Sequence, residues 1–391
     1  MNNSIRKAVY LILILMAALS VFQGARNALR FSQDFQYDAA LALRSGINPY
    51  KESLEPSGIL KTGPTAEYYS IFEAAGTPQK MEANQFPSLL MLLFPLTILP
   101  YGYARMLWLL LNLLFTGLII ILLRQTFFRD SDSFTFNVLM LLMIAGTPWR
   151  NQIGVGQHSL FSFFFFLLAV WLSDRRRWIL SGLALSVSYF KYTLTAPLAL
   201  YFLYKKRYRE FALSLIPHVI GTFAGAGMLG SSFIEMIKEP LKVSSALTGE
   251  GSIDIGALTG GAEWSVVITA LIMAGLTILS FFLPEGRDKS FFSLLILMSL
   301  VMTYHRIYDF FMLIPAAAGI IAAELCKGES GKRIFLFTYA LLVFYFFFVL
   351  RVFSESRTSL AAGAAFYYTF LVVYTAGMLR GEKKDPSLRS G

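Results

Sequence analysis

The chain has 391 residues, of which 56% are hydrophobic and 15% charged, and a mean hydropathy of +0.58. Apolar segments recur from end to end, which excludes a soluble globular protein. The expected class is an all-α, polytopic membrane bundle forming a single domain over residues 1–391. The formal net charge of +10 could suggest nucleic acid, but the basic residues fall in short clusters between apolar segments. That is the positive-inside pattern, so membrane lipids are expected as partners and nucleic acid is not. A lone cysteine, Cys326, excludes an intramolecular disulfide, and three scattered histidines argue against a zinc centre.

Arg6 and Lys7 precede an apolar run from Ala8 to Phe22, the form of a signal peptide, with Gly24-Ala25 as small residues for cleavage. The many apolar segments that follow favour its retention as a first membrane helix. Next comes Arg30 to Tyr50, RFSQDFQYDAALALRSGINPY, the most patterned polar stretch beside an apolar one. Its spacing predicts a short helix over 35–45 lying along a bilayer surface, ended by Gly46 and kept from resuming by Pro49. Asp34 and Asp38, four apart, would share one face at the water–lipid boundary. Asp34 there can take a proton from an acceptor hydroxyl, or can simply cap the helix, and the two roles are compatible. Asp38 is a second acid, a partner of Arg30 or Arg44, or part of a solvated face.

Further spans are expected near 104–123, 134–148, 157–173, 178–190, 193–204, 210–228, 264–283, 290–304, 307–325, 334–351 and 359–379, after a first near 8–24. Basic clusters at 6–7, 124–129, 175–177, 205–209, 287–289, 327–333 and 380–389 would all be cytoplasmic, which puts both termini inside and makes 380–391 a cytoplasmic tail. This parity forbids a full span at Phe86 to Pro100, which Pro87, Pro95 and Pro100 also punctuate too closely for one long helix. It is expected to be a juxtamembrane or re-entrant piece. Likewise 178–204 should be a hairpin of two short helices with Lys191 near its outer turn, although its length would also suit one tilted helix. Two outer loops are long, 25–103 and 229–263, and the second is rich enough in Gly, Ser and Thr to suggest a mobile flap over a site.

Polar residues gather in the outer turns. Lys191 is a lone ammonium between apolar segments, a group that either binds a lipid phosphate or snorkels to the surface. Arg105, Arg150, Arg306 and Arg351 also lie outside against the charge bias; some would neutralise a phosphate and others pair with Asp309 or Glu355. His305, beside Arg306 and four before Asp309, can bind or protonate a leaving phosphate. His158 follows Gly156-Gln157 in a turn suited to hydrogen bonding, and His218 after Pro217 reads as buried in a span. Walker and dinucleotide fingerprints are absent from the sequence. The aromatic runs Phe163–Phe166 and Tyr345–Phe348 read as packing or lipid-facing residues before a sugar platform.

The order QDFQYDAALALRSGINPY, FPSLLMLLFPLTILPYGYARMLWLLLNLL, GVGQHSLFSFFFFLLAVWLSDRRRWILSGLALSVSYFKYTLTAPLALYFLYKKRYR and TYHRIYDFFMLIPAAAGI resembles glycosyltransferase family 87, over most of the chain to about residue 325. That family belongs to the GT-C membrane glycosyltransferases and includes polyprenol-phosphate-mannose-dependent mannosyltransferases. The resemblance implies a GT-C bundle of about twelve transmembrane helices with extracytoplasmic juxtamembrane helices in the cytoplasmic membrane. It also implies a polyprenyl-phosphate sugar donor, an extracytoplasmic site and inversion at the anomeric carbon. Asp34 matches the family's acid after the first helix and would be the general base. Gln157 matches its Gly-Gln turn and Lys191 its lysine after the cytoplasmic basic cluster, while His305 falls within its late outer motif. The Asn-Gln-Ser-like element common in the family's second outer loop is missing here. Asp38, Gln157, His158, Lys191, His305 and Arg306 are the expected substrate-binding residues, the acceptor is a glycan or glycolipid, and no cofactor or metal is expected. Two other readings stand beside this one: a transporter or flippase of a lipid-linked saccharide, and a non-catalytic partner in polysaccharide assembly that would tolerate loss of Asp34.

Overall fold

A computed structural model describes residues 2–32, 35–55, 60–61, 63, 65–76, 82–247, 253–259, 262–322, 328–352 and 356–380. Those residues are helical apart from turns and one isolated bridge between Leu54 and Leu60. Helix α1 (Asn3–Phe31) starts where the Asn2 side chain accepts the Ser4 N–H, and it runs farther than the expected 8–24. Then come α2 (Tyr37–Arg44), α3 (Ala66–Ala75) and α4 (Pro87–Leu90), followed by two single 3-10 turns and the long α5 (Tyr101–Thr126). The expected span 134–148 is divided into α6 (Ser133–Ala145) and α7 (Thr147–Val155), and α8 (Ser159–Asp174) leaves α7 at a bend of 106°. Next are α9 (Trp178–Ser188), α10 (Tyr192–Tyr204), α11 (Tyr208–Leu229), α12 (Phe233–Ala246), α13 (Ile255–Thr259), α14 (Ala262–Phe282) and α15 (Asp288–Met302). A 3-10 segment Ile307–Met312 leads into α16 (Leu313–Ala322), and α17 (Gly328–Phe344), a π turn, α18 (Leu350–Val352) and α19 (Arg357–Arg380) complete the chain. Six helices among the described residues are long and apolar enough to cross a membrane, and the bent pair α7 and α8 makes a seventh if taken together.

Charged contacts sort the connections into two ends. Ser173 at the end of α8 donates to Glu210 at the start of α11 (3.1 Å). Lys205 pairs with Asp288 (2.6 Å), Lys206 with Glu285 (2.9 Å) and Lys289 with Asp130 (2.8 Å). The paired ammonium groups hold the Asp130 and Glu285 carboxyls below the usual range. Arg6 stacks over Phe134 at the start of α6. The clusters at 6–7, 124–129, 175–177, 205–209 and 287–289 therefore share one end, the grouping that the positive-inside reading requires. At the other end of α8, about 24 Å away at 1.5 Å per residue, Ser159 and Ser162 touch Lys191. Helices α9 and α10 thus form a hairpin with Lys191 at its turn; the single tilted helix is excluded.

Three expectations need correction. Helix α2 does not lie on a surface. Its cap position is Gln36, in the left-handed conformation, and every residue from Tyr37 to Leu43 is buried, Asp38 included. The apolar residues expected to face lipid on one side pack on all sides instead, against α3, α4 and the turns before α5. Residues 229–263 are not a flap throughout, because Ser232 and Glu235 make a reciprocal capping box that starts α12, and Met236, Pro240 and Val243 bury one face of it. Arg306 does not pair with Asp309 either; its Nε donates to the Tyr304 hydroxyl. The segment 86–100 is broken into α4 and two 3-10 turns, each too short to span, with Ser88 hydrogen-bonded to His218 on α11 (3.0 Å).

Close packing is carried by small residues and aromatic stacks. A Cβ on Gly319 would lie 2.2 Å from the Lys289 carbonyl, so α16 crosses α15 backbone to backbone. Phe127 and Phe292 stack at 3.7 Å. Phe163, Phe164 and Phe166 are buried, which makes that run a packing surface.

The two-ended charge pattern has a direct consequence for labelling in intact membranes with Cys326 replaced by Ser. Cysteines at the exposed positions Arg176 and Gly286 should react with an impermeant reagent from the same side, and a cysteine at Lys51 from the opposite side. Reaction of the first two from different sides would break the helix order described.

Candidate functional site

Three interruptions of helix converge at the end away from the basic clusters. The first is the bend between α7 and α8. Gly156 caps α7 with φ +76, and a Cβ there would fall 2.0 Å from the Ser32 Oγ, so the turn needs glycine for both conformation and space. The Trp108 indole N–H fixes the Gly156 carbonyl at 2.7 Å, which aims Gln157 and His158 out of the turn. The second is the 3-10 turn Tyr189–Lys191, anchored where the Lys191 N–H donates to Ser162 Oγ (2.8 Å) and Thr195 Oγ1 donates to the Ser188 and Lys191 carbonyls (2.7 and 3.0 Å). The third is the segment Ile307–Met312, which carries Asp309.

The Lys191 ammonium lies 2.7 Å from each Asp309 oxygen, 2.9 Å from Ser159 Oγ and 3.4 Å from Gln157 Oε1. Asp309 Oδ2 also meets His305 Nδ1 at 2.8 Å, four residues earlier in the non-helical lead-in, and Oδ1 accepts from the Ser159 hydroxyl. Side-chain exposure is 9% for Lys191 and 1% for Asp309. Burying such a pair costs several kcal/mol per ion, offset only when the geometry is good and the remaining hydrogen bonds are made. Here they are made, and the pair ties α8, the α9–α10 hairpin and the segment before α16 together.

A cavity of about 580 Å³ opens beside this pair. Gln36, Glu82, Asn84, Gln85, Gln157, His158, Lys191, Arg306, Tyr308 and Asp309 give it a polar end. Ala196 and Pro197 of α10, Leu241 of α12, Val266, Ala270 and Met273 of α14 and Met302 of α15 give it an apolar wall. Helix α14 exposes Trp264, Val267 and Leu271 on its outer face. A charged head and a hydrocarbon tail can therefore be accommodated side by side.

The expected site residues Gln157, His158, Lys191 and Arg306 all line this cavity. Gln157 donates to the Tyr308 hydroxyl (2.9 Å), and His158 Nε2 lies 2.9 Å from the Gln85 amide nitrogen. His305 is buried behind Asp309, out of the lining, and Asp38 is buried within α2. Asp34 lies outside the described residues; the nearest described residue on the cavity wall is Gln36.

A family model, Glycosyltransferase family 87, matches residues 87–305, more than half of the chain. The chain belongs to glycosyltransferase family 87. It is a membrane glycosyltransferase, with a sugar donor and an acceptor as its substrates. Comparisons with characterised proteins and with solved structures gave no match. The matched segment contains Gln157, His158, Lys191 and His305 and ends before Arg306 and Asp309.

Sequence reasoning missed Asp309, Ser159, Gln85 and the α12 wall of this glycosyltransferase. Two signals pointed to them. A lone ammonium between apolar segments demands a counterion, and Asp309 stands four residues after His305. The pattern Ser232-x-x-Glu235 marks a helix start inside the supposed flap. Nothing local in the sequence marks Ser159 or Gln85.

Replacing Gly156 should move the Gln157–His158 turn. Gly156→Ala in the detergent-purified family 87 enzyme is expected to cost about 1–3 kcal/mol of stability from strain and to lower sugar transfer with it. Arg306→Gln, at an exposed position, should leave the melting temperature within error. A Gly156→Ala enzyme as stable and active as the original would show that the turn does not need glycine.

Proposed function

We propose that the enzyme transfers a hexose, mannose being the first to test, from a polyprenyl-phosphate donor to a glycan or glycolipid acceptor on the extracytoplasmic face of the cytoplasmic membrane. The single observation that carries this reading is the cavity's division into a polar end with two cations and an apolar wall reaching the exposed α14. A nucleotide sugar has no use for such a wall; a polyprenyl chain does. The full architecture proposed is a GT-C bundle of about twelve membrane helices. In it, 25–103 and 229–263 form the outer loops, with juxtamembrane helices in the first of them, and 380–391 the cytoplasmic tail. Family membership favours transfer over transport of a lipid-linked saccharide.

In the proposed chemistry Asp34 is the general base. It takes the proton of an acceptor hydroxyl as that oxygen attacks the anomeric carbon on the face opposite the phosphate, and the bond from that carbon to the phosphate oxygen breaks with inversion. Arg306 and Lys191 stabilise the charge that collects on the departing polyprenyl phosphate, so the reaction needs neither a metal nor a cofactor. Gln157 and His158 contact the donor, and His305 and Asp38 support the site from buried positions. The assignment of Asp34 rests on its match to the family's acid and on its place in the chain two residues before Gln36 on the cavity wall.

The test is transfer from defined polyprenyl-phosphate sugars by the purified protein in lipid. Turnover with a polyprenyl-phosphate hexose and none with nucleotide sugars is expected, and Asp34→Asn should lose about 10²–10⁴-fold in rate. Unchanged turnover in that variant removes Asp34 as the base. Transfer from nucleotide sugars alone would sink the donor assignment.

A further inference from the structure

The first outer loop contributes a row of hydrogen-bond acceptors to the cavity wall. Gln36 and Gln85 line it with only 4% and 3% of their surface exposed. The nitrogen of each amide is already used. Gln36 Nε2 donates to the Glu82 carbonyl (3.0 Å), and Gln85 Nε2 donates to Asn84 Oδ1 (3.0 Å) and lies 2.9 Å from His158 Nε2. Those bonds fix which end of each amide is the oxygen. Both oxygens, Gln36 Oε1 and Gln85 Oε1, are buried and have no donor among the described residues. Unmet buried acceptors are rare because they are costly. Beside them Glu82 lines the same cavity, partly exposed, and its carboxylate makes no hydrogen bond or ion pair among the described residues.

The loop holds this row in place. The Tyr50 hydroxyl donates to the Gln85 carbonyl (2.6 Å), and the Ala83 N–H donates to Ser53 Oγ (2.9 Å). Gln36 sits at φ 59 and ψ 28, a left-handed backbone that a residue with a side chain adopts at a cost. Glycine would adopt it freely, but only the amide reaches Glu82.

Acceptors in a row call for a ligand rich in donors. In a polyprenyl-phosphate sugar the hydrocarbon has no polar hydrogen and the ionised phosphate is itself an acceptor, so the sugar hydroxyls are the donors available. The positions suit the hexose that is transferred. Gln85 meets His158, the chain neighbour of Gln157, whose Oε1 lies 3.4 Å from the Lys191 ammonium. Gln36 follows Asp34 by two residues. Attack from the face opposite the leaving oxygen puts the hexose between phosphate and base, and the row runs from the neighbourhood of one to that of the other.

We propose that Gln36, Glu82 and Gln85 form the subsite that reads the transferred hexose, the Glu82 carboxylate accepting from two neighbouring hydroxyls and the amide oxygens from others. The inference rests on the polyprenyl-phosphate reading and adds the residues that choose the sugar. A site built to hydrogen-bond a hydroxyl rejects an epimer that presents it elsewhere, because its own polar groups are then left unpaired.

The experiment measures binding of two probes to the full-length protein in detergent by native mass spectrometry, a polyprenyl-phosphate hexose and the sugar-free polyprenyl monophosphate, with donor and acceptor KM measured in parallel. Glu82→Gln should weaken the hexose-bearing probe and raise donor KM about 10- to 100-fold, the range of hydrogen bonds to a charged group. The sugar-free probe, the acceptor KM and the melting temperature should stay within error. Gln36→Gly keeps the left-handed turn without its strain, so it should stay folded yet lose preference for one hexose over its epimers. Equal weakening of both probes by Glu82→Gln, or of neither, overturns the proposal. So does a change confined to the acceptor KM, which would give the row to the acceptor instead. Full discrimination between epimers in Gln36→Gly removes Gln36 from the subsite. If the unmodified protein binds neither probe and works only with a nucleotide sugar, the polyprenyl reading falls on its own. Glu82→Gln assayed on that donor then decides the hexose subsite, through the same rise in donor KM or its absence.

Discussion

The contact on which the site depends is the buried pair between Lys191 and Asp309. It joins residues 118 positions apart in the chain, at the points where two apolar segments stop being α-helical. A membrane bundle gains little from burying one apolar helix against another when lipid is the alternative, so specific polar contacts and close approaches decide which helices neighbour which. Here Ser159 on α8, Lys191 between α9 and α10 and Asp309 before α16 satisfy one another, with His305 closing the set. The remaining features of the site are arranged around that knot. The Gly156 turn brings Gln157 to its cavity side, and α12 and α14 add the apolar wall.

The same arrangement explains why the helices are interrupted where they are. An unbroken α8 or a single helix over 178–204 would carry its side chains past the site at regular intervals and could not turn backbone carbonyls and a lysine stem towards one point. Breaks at depth are tolerated only where protein groups replace the lost backbone bonds. The replacements are present: Trp108 on the Gly156 carbonyl, Ser162 on the Lys191 N–H, and Thr195 on the Ser188 and Lys191 carbonyls. Each of these residues is buried and makes its bond away from the cavity, so they support the turns without occupying the place a substrate would take.

Much of the fold was legible because charge and hydropathy act over whole segments. Five of the basic clusters found their common end, the 178–204 hairpin followed from parity, and prolines at 87, 95 and 100 forecast a broken segment. Legibility failed where a contact between distant residues overrides the local pattern. Helix α2 carries an amphipathic spacing suited to a bilayer surface, yet α3, α4 and the turns before α5 cover its polar face as well, because Tyr37 bonds to the Leu99 carbonyl and Arg44 to Thr97. Lys191, Gln157 and His158 stood out as isolated polar groups among apolar ones. Asp309 did not, since a carboxylate beside an arginine reads as paired with its neighbour, and only the three-dimensional approach of the hairpin shows that its partner is the lysine.

That substitution of partners changes how the cations divide their work. Arg306 keeps an exposed guanidinium over the Tyr304 ring, where water screens it. Lys191 is nearly neutralised by Asp309, so its long-range pull on an anion is small and its influence is confined to hydrogen-bond distance. The Lys191 ammonium is anchored by a carboxylate whose own bonds leave it no freedom to move, so it is held at a defined point without reorganising.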